Sequence, residues 1–173
     1  MKHIRVWSLV AALLLFGCGC GKTVPANDVV STYKQFLASE NANGIQRYAL
    51  YDISNDGIAE LIVEDTTFKV FTFNETGVAL AYEAASSYDK DSLKVVKQGI
   101  VQSKQTDAGI QYVYTSFTTD CRPENSLFTD ANSDDPEAVY LFNGHSTTKE
   151  EWQSLTAPIL SQNAVNLEWQ TRE

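Results

Sequence analysis

The spacing of hydrophobic positions changes character twice along the chain. After Pro25, Val29, Val30, Tyr33, Phe36 and Leu37 recur at intervals of three and four, which predicts an amphipathic helix with Asp28 as its N-cap and an end at residues 41–44. From Ile45 the period becomes two and stays so for about a hundred residues. This predicts strands at 46–52, 59–64, 68–73, 78–83, 93–97, 100–104, 110–118 and 138–142. Asn74-Glu75-Thr76-Gly77 and Asp107-Ala108-Gly109 lie between alternating runs at hairpin spacing, so a sequential antiparallel meander is the economical topology. Residues 118–136, polar and carrying two of the four prolines, read as a long loop that interrupts it.

Helical spacing returns after Asn143-Gly144. Thr147 with Glu150, or Thr148 with Glu151, offers a capping box, and Trp152, Leu155 and Ile159 supply a buried face. Pro158 is expected to bend or end that helix near Ala157, with a last short strand at 165–169. The expected fold class is α+β: one antiparallel meander sheet with an N-terminal and a C-terminal helix. A length of 173 residues, 43% of them hydrophobic, suits one well-packed domain, placed at 27–173.

The first 17 residues have the layout of a secretory signal, with Lys2 and Arg5 ahead of the apolar run 6–16, which is too short to span a bilayer. Leu15-Phe16-Gly17-Cys18 resembles the lipobox of bacterial lipoproteins. That resemblance implies lipidation of Cys18, with residues 18–26 as a tether and the cell membrane as a partner through the lipid. Phe16 is bulkier than the residue usual there, and Cys20, after Gly19, is the alternative anchor. Removing residues 1–17 takes away two of the 13 Lys and Arg and none of the 22 Asp and Glu, moving the formal charge from −9 to −11. Such a chain repels nucleic acid and suits cations. Three cysteines exclude a disulfide framework; a single Cys20–Cys121 bridge is chemically possible outside the cytoplasm, although Cys20 sits in a Gly-flanked tether.

The most informative stretch is RYALYDISNDGIAELIVED, residues 47–65. Asp52, Ser54, Asp56 and Glu60 place side-chain oxygens at positions 1, 3, 5 and 9 of a loop, the Ile58 carbonyl falls at position 7, and Gly57 permits the tight turn. Calcium takes six to eight oxygens around such a turn, so these five residues are the candidate ligands of a structural Ca²⁺. A bare Asn-Asp-Gly turn would not require Asp52 and Glu60 at those offsets. The loop is not an EF-hand, because Val63 stands where a bidentate Glu is needed and both flanks alternate as strands.

The same residues resemble the strand-flanked calcium loops of FG-GAP and integrin-type repeats, DxDxDGxxDL, here DISNDGIAEL, with Ser54 in place of a carboxylate or amide. Only one copy is present, so a multi-blade propeller does not carry over. Over most of residues 27–155, the order of a Tyr-containing helix, YALYDISNDGIAELIV, a VFTF hairpin, a Tyr-rich strand and an Asn-Gly turn before an EEW helix resembles Gram-positive surface lipoproteins with a YxLYDINxDGxxELIV core. That resemblance implies surface attachment and a calcium-loop-like hairpin, without a settled activity.

Enzyme signatures are missing: no phosphate loop, GxGxxG, GxSxG elbow or HExxH occurs. His145, the one histidine after residue 17, reads as a turn residue, and Tyr112, Val113, Tyr114 and Phe117 read as core-packing aromatics and aliphatics in preference to a sugar platform. The acidic group Asp130, Asn132, Asp134 and Asp135 lacks a turn glycine and reads as solvated loop. The expectation is a lipid-anchored, extracytoplasmic binding or assembly domain whose partner is an envelope protein or glycan. The alternatives are an inhibitor or accessory subunit acting on an envelope enzyme through 118–136, and a hydrolase with dispersed catalytic residues.

Overall fold

A computed structural model describes residues 26–84, 92–107, 109–131 and 140–172. The signal, Cys18, Cys20 and most of the tether lie outside the described residues, as do Asn132, Asp134 and Asp135. Helix α1 (Ala26–Ala38) and a 3₁₀ turn (Glu40–Ala42) precede β1 (Arg47–Tyr51), β2 (Glu60–Glu64), β3 (Phe68–Asn74) and β4 (Gly77–Glu83). Then come β5 (Lys94–Val96), β6 (Gly99–Thr106), β7 (Gly109–Phe117), β8 (Pro123–Ala131), β9 (Tyr140–Phe142) and β10 (His145–Thr147), followed by α2 (Lys149–Leu160) and β11 (Gln170–Thr171).

The α+β class holds, but the strands form two antiparallel sheets instead of one meander. Their orders are β11-β1-β2-β3-β4 and β10-β9-β8-β7-β6-β5. The reason is coverage. A strand that is apolar on both faces needs both faces covered, and two helices can each close one face only, so the remaining two faces close each other. Tyr33, Leu37, Leu61 and Val63 pack α1 on the outer face of the first sheet. Phe128, Tyr140 and Trp152 pack α2 on the outer face of the second. Between the sheets lie Ile53, Ile62, Val70, Val95, Ile100 and Phe117. Central β2 is therefore buried on both sides, which explains its unbroken Leu61-Ile62-Val63 run.

Three sequence expectations are corrected. Residues 118–136 are not one long loop: a tight turn, closed by Cys121 N–H on the Thr118 carbonyl at 2.8 Å, returns the chain into β8, which pairs with β7 from Phe117↔Pro123 to Gly109↔Ala131. Its polar sequence follows from exposure of Glu124 and Asn125, with Phe128 and Thr129 inside. The last strand is Gln170–Thr171 on β1, not 165–169, which runs as an extended tail with Val165 N–H donating to the Val95 carbonyl at 2.8 Å. Asp28 lies within the first turn of α1, where its charge still complements the positive helix end.

Other local readings hold. Thr148 is the N-cap of α2 and its hydroxyl accepts from Glu151 N–H at 3.2 Å. The expected end near Ala157 is also corrected: Pro158 forfeits only its own N–H bond, Ser161 N–H still reaches the Ala157 carbonyl at 3.1 Å, and α2 continues to Leu160. Asn143 and Gly144, with φ of 49° and 80°, make the tight turn between β9 and β10 that only such residues adopt cheaply. Tyr112 stacks on Phe128 at 5.6 Å and Phe128 meets Trp152 edge-on at 6.3 Å, so the tyrosine ladder packs beneath α2.

Candidate functional site

The loop between β1 and β2 is built by its own carboxylates. Strand register pairs Tyr51 with Glu60, so residues 52–59 must turn the chain within one hairpin. Asp52 does most of this: Oδ1 accepts Asp56 N–H at 3.1 Å and Oδ2 accepts Gly57 N–H at 2.9 Å. Asp56 Oδ1 accepts Ile58 N–H at 2.7 Å. The tip needs left-handed backbone at Asn55 (φ 57°) and Gly57 (φ 90°), which asparagine tolerates and glycine adopts freely. Asn55, Asp56 and Gly57 are exposed, and Ile53 and Ser54 beneath them are buried.

Glu60 closes the base. It is 1% exposed; Oε2 accepts Ile53 N–H at 2.9 Å and Ser54 N–H at 3.3 Å, and Oε1 accepts the Ser54 hydroxyl at 3.2 Å. Among the described residues it has no Lys, Arg or His partner. Burial pushes its carboxyl up to about 7, with Asp56 adding to the rise and the two amide bonds opposing it. The Cys121 thiol is buried and is pushed up to about 12, first by burial and then by the Glu60 charge. Tyr33 is raised by burial and, secondarily, by Glu60. Tyr33, Glu60 and Cys121, distant in sequence, thus share one electrostatic environment.

The sequence-predicted ligands stay together on one hairpin, but they divide into two layers. Asp52, Asp56 and the Ile58 peptide surround the exposed tip, while Ser54 and Glu60 face inward. As donors, three carboxylates, a hydroxyl and a carbonyl suit a hard cation. Each carboxylate oxygen that accepts one N–H keeps a further lone pair. In this conformation the carboxylates are satisfied by backbone amides, and no three His, Cys, Asp or Glu among the described residues lie close enough to hold a metal ion. Sequence reasoning missed the burial of Glu60 and the approach of Cys121. Glu60 heads an apolar run on a central strand, which could have signalled the first; nothing local could have signalled the second.

Among the described residues no helix is long and apolar enough to cross a membrane. His145 is exposed on β10, and Cys121 is a free, buried thiol. Comparison with family models, with curated proteins and with solved structures finds no match to this chain.

Proposed function

We propose that the chain is a lipid-anchored domain on the extracytoplasmic face of the cell membrane, which binds or assembles with an envelope component and carries a structural calcium at the β1–β2 loop. The observation that carries the calcium reading is Glu60: a buried carboxylate with three hydrogen-bond donors and, among the described residues, no cationic side chain paired with it. Burying an unpaired carboxylate is costly, and a divalent cation at the same loop would supply the missing positive charge. Asp52, Ser54, Asp56, Glu60 and the Ile58 carbonyl would hold it. The ion's role would be to fix the hairpin, not to take part in a reaction. The anchor rests on the LFGC sequence and Cys18. Two acyl chains, at about 0.8 kcal/mol per buried CH₂, would hold the domain at a membrane without a spanning helix.

Two measurements test this reading separately. Cys18→Ala is expected to move the protein from the membrane to the soluble fraction, and unchanged fractionation of the variant removes the anchor. Three carboxylates and one hydroxyl give an expected affinity of about 10⁻⁴ to 10⁻³ M for calcium. At ten times that dissociation constant, binding adds about 1.4 kcal/mol of stability. A thermal melt identical in calcium and in EDTA, with no calorimetric binding heat, removes the metal.

A further inference from the structure

Where the two sheets meet the C-terminal tail lies a half-open cleft of about 390 Å³, a size typical of small-ligand sites. One wall is the end of β2, with Glu64 opposite Arg47 of β1; the other is β5 with the tail residues 164–167, and Trp169 closes one end. The walls are held in place. The Arg47 guanidinium lies 4.5 Å from the centre of the Trp169 ring and donates from Nε and Nη2 to Glu64 Oε2 at 2.9 and 2.5 Å. The tail is tied to β5 through Val165 and Val95, and Trp169 N–H donates to the Leu167 carbonyl at 3.0 Å.

Chemistry narrows the occupant. The lining carries two cations, Arg47 and Lys94, and two carboxylates, Glu64 and Asp65, so the cleft is charge-balanced; Arg47 is paired with Glu64, Asp65 bonds Lys69 at 3.0 Å, and the Lys94 ammonium reaches the Leu160 carbonyl at 3.5 Å. A polyanion would also meet a chain of formal charge −9. A peptide cannot add as a strand at Val95, whose carbonyl the tail already occupies. Hydrogen-bonding capacity remains unspent: both Arg47 bonds fall on Glu64 Oε2, leaving Oε1 as an acceptor and Arg47 Nη1 as a donor, and Asn166, an exposed residue, lines the same cleft. Phe68, Leu93 and Leu167 supply an apolar floor. Fixed donors and acceptors over an apolar floor, without net charge, match a ring that carries hydroxyls at its rim and C–H groups on its face.

We propose that this cleft binds one neutral saccharide unit, with hydroxyls on Glu64 Oε1, Arg47 Nη1 and the Asn166 amide, and that it is the site through which the domain engages a surface glycan. This rests on the binding-domain reading above and makes its ligand specific. The test uses the full chain in detergent with ¹⁵N-labelled indoles, titrated with a panel of glucose, galactose, N-acetylglucosamine and their disaccharides. Trp169 Nε1–H is the reporter, and the indole of Trp152, buried under α2, is the internal control. A saturable shift of Trp169 alone is expected, with Kd of about 10⁻³ M, as suits a few hydrogen bonds in an open cleft. Glu64→Ala and Asn166→Ala are each expected to weaken it about tenfold, the loss of one hydrogen bond to a polar ligand, with melts little changed because the Arg47–Glu64 pair is solvent-exposed. No shift with any sugar overturns the proposal, as does an equal shift with inorganic phosphate or a Gly-Ser hexapeptide, or full binding by both variants. Loss of membrane fractionation or of calcium stabilisation leaves the indole shift as it is, so failure of the anchored, calcium-bearing reading is separable from failure of the cleft.

Discussion

The Ser54 hydroxyl donates to Glu60 Oε1 at 3.2 Å inside the protein, so two residues six positions apart close the base of an exposed acidic turn from within. Four more bonds from backbone amides to Asp52 and Glu60 fix the same hairpin. The loop's shape thus depends on two carboxylates, one half-buried and one almost wholly buried.

Glu60→Gln keeps the shape and an acceptor oxygen for Ile53 and Ser54 while removing the buried charge. In EDTA at neutral pH the variant is expected to melt at or above the wild type. In calcium the order reverses, because the variant loses a charged ligand. Thermal melts of both proteins in the two buffers give four values; a variant less stable than wild type in EDTA contradicts the account of Glu60.

Asp56→Ala removes an exposed carboxylate at the tip and the acceptor for Ile58 N–H. The calcium-dependent gain in stability should vanish, while the loss in EDTA should stay near 1 kcal/mol, as for one exposed hydrogen bond. Magnesium should stabilise the wild type poorly, since it demands stricter octahedral geometry. Calorimetry with the two ions checks both statements.

In α1 the burial is unequal. Leu37 is 7% exposed, whereas Phe36, taken from the sequence as a core position, is half-buried and meets Phe71 at 5.0 Å along one side. Leu37→Ala should cost about 2 to 4 kcal/mol, and Phe36→Ala less than the 3 to 5 kcal/mol or so of a full core truncation. Equal losses in chemical denaturation would show that Phe36 is more enclosed than its exposure indicates.

Asp65 has opposing influences. Burial would raise its carboxyl, but Thr67 N–H at 2.6 Å and the Lys69 ammonium at 3.0 Å prevail and hold it below the usual carboxylate range. A folded-state value below the unfolded one contributes stability above the unfolded value of 3.8, lost as pH falls through the folded one. Asp65→Asn should therefore be less stable than wild type at neutral pH, with the gap closing below about pH 4. A gap that is constant with pH would mean the carboxylate's charge is not what stabilises.

Gly99 pairs with Ser116 between β6 and β7, and a Cβ there would lie 2.5 Å from the Thr115 carbonyl oxygen and 2.6 Å from the Tyr114 ring. The carbonyl cannot give way without disturbing the ladder. Gly99→Ala is expected to cost about 1 to 3 kcal/mol by overpacking, read as a lowered denaturation midpoint with the slope unchanged.

Much of the candidate site was legible from residues 47–65 alone, because turn chemistry acts over a few positions: Asp52 meets the amides of Asp56 and Gly57, and Gly57 adopts a backbone few other residues accept. Both helices, the β3–β4 and β6–β7 hairpins and the Thr148 cap were legible for the same reason. What alternation cannot state is which surface lies opposite. A strand reads the same whether a helix, a second sheet or solvent covers it, so the division into two sheets and the edge at β4 came only with the tertiary structure. β8 escaped notice because most of its side chains face water and its pairing with β7 supplies the backbone bonds that its composition does not advertise. The fate of Glu60 was hidden likewise: whether a carboxylate reaches out to an ion or inward to amides depends on α1 and the 118–122 turn arriving around it. Arg47, Glu64 and Trp169 meet because β1 pairs with β2 and the tail returns to β1, and no pattern within any one segment encodes that meeting.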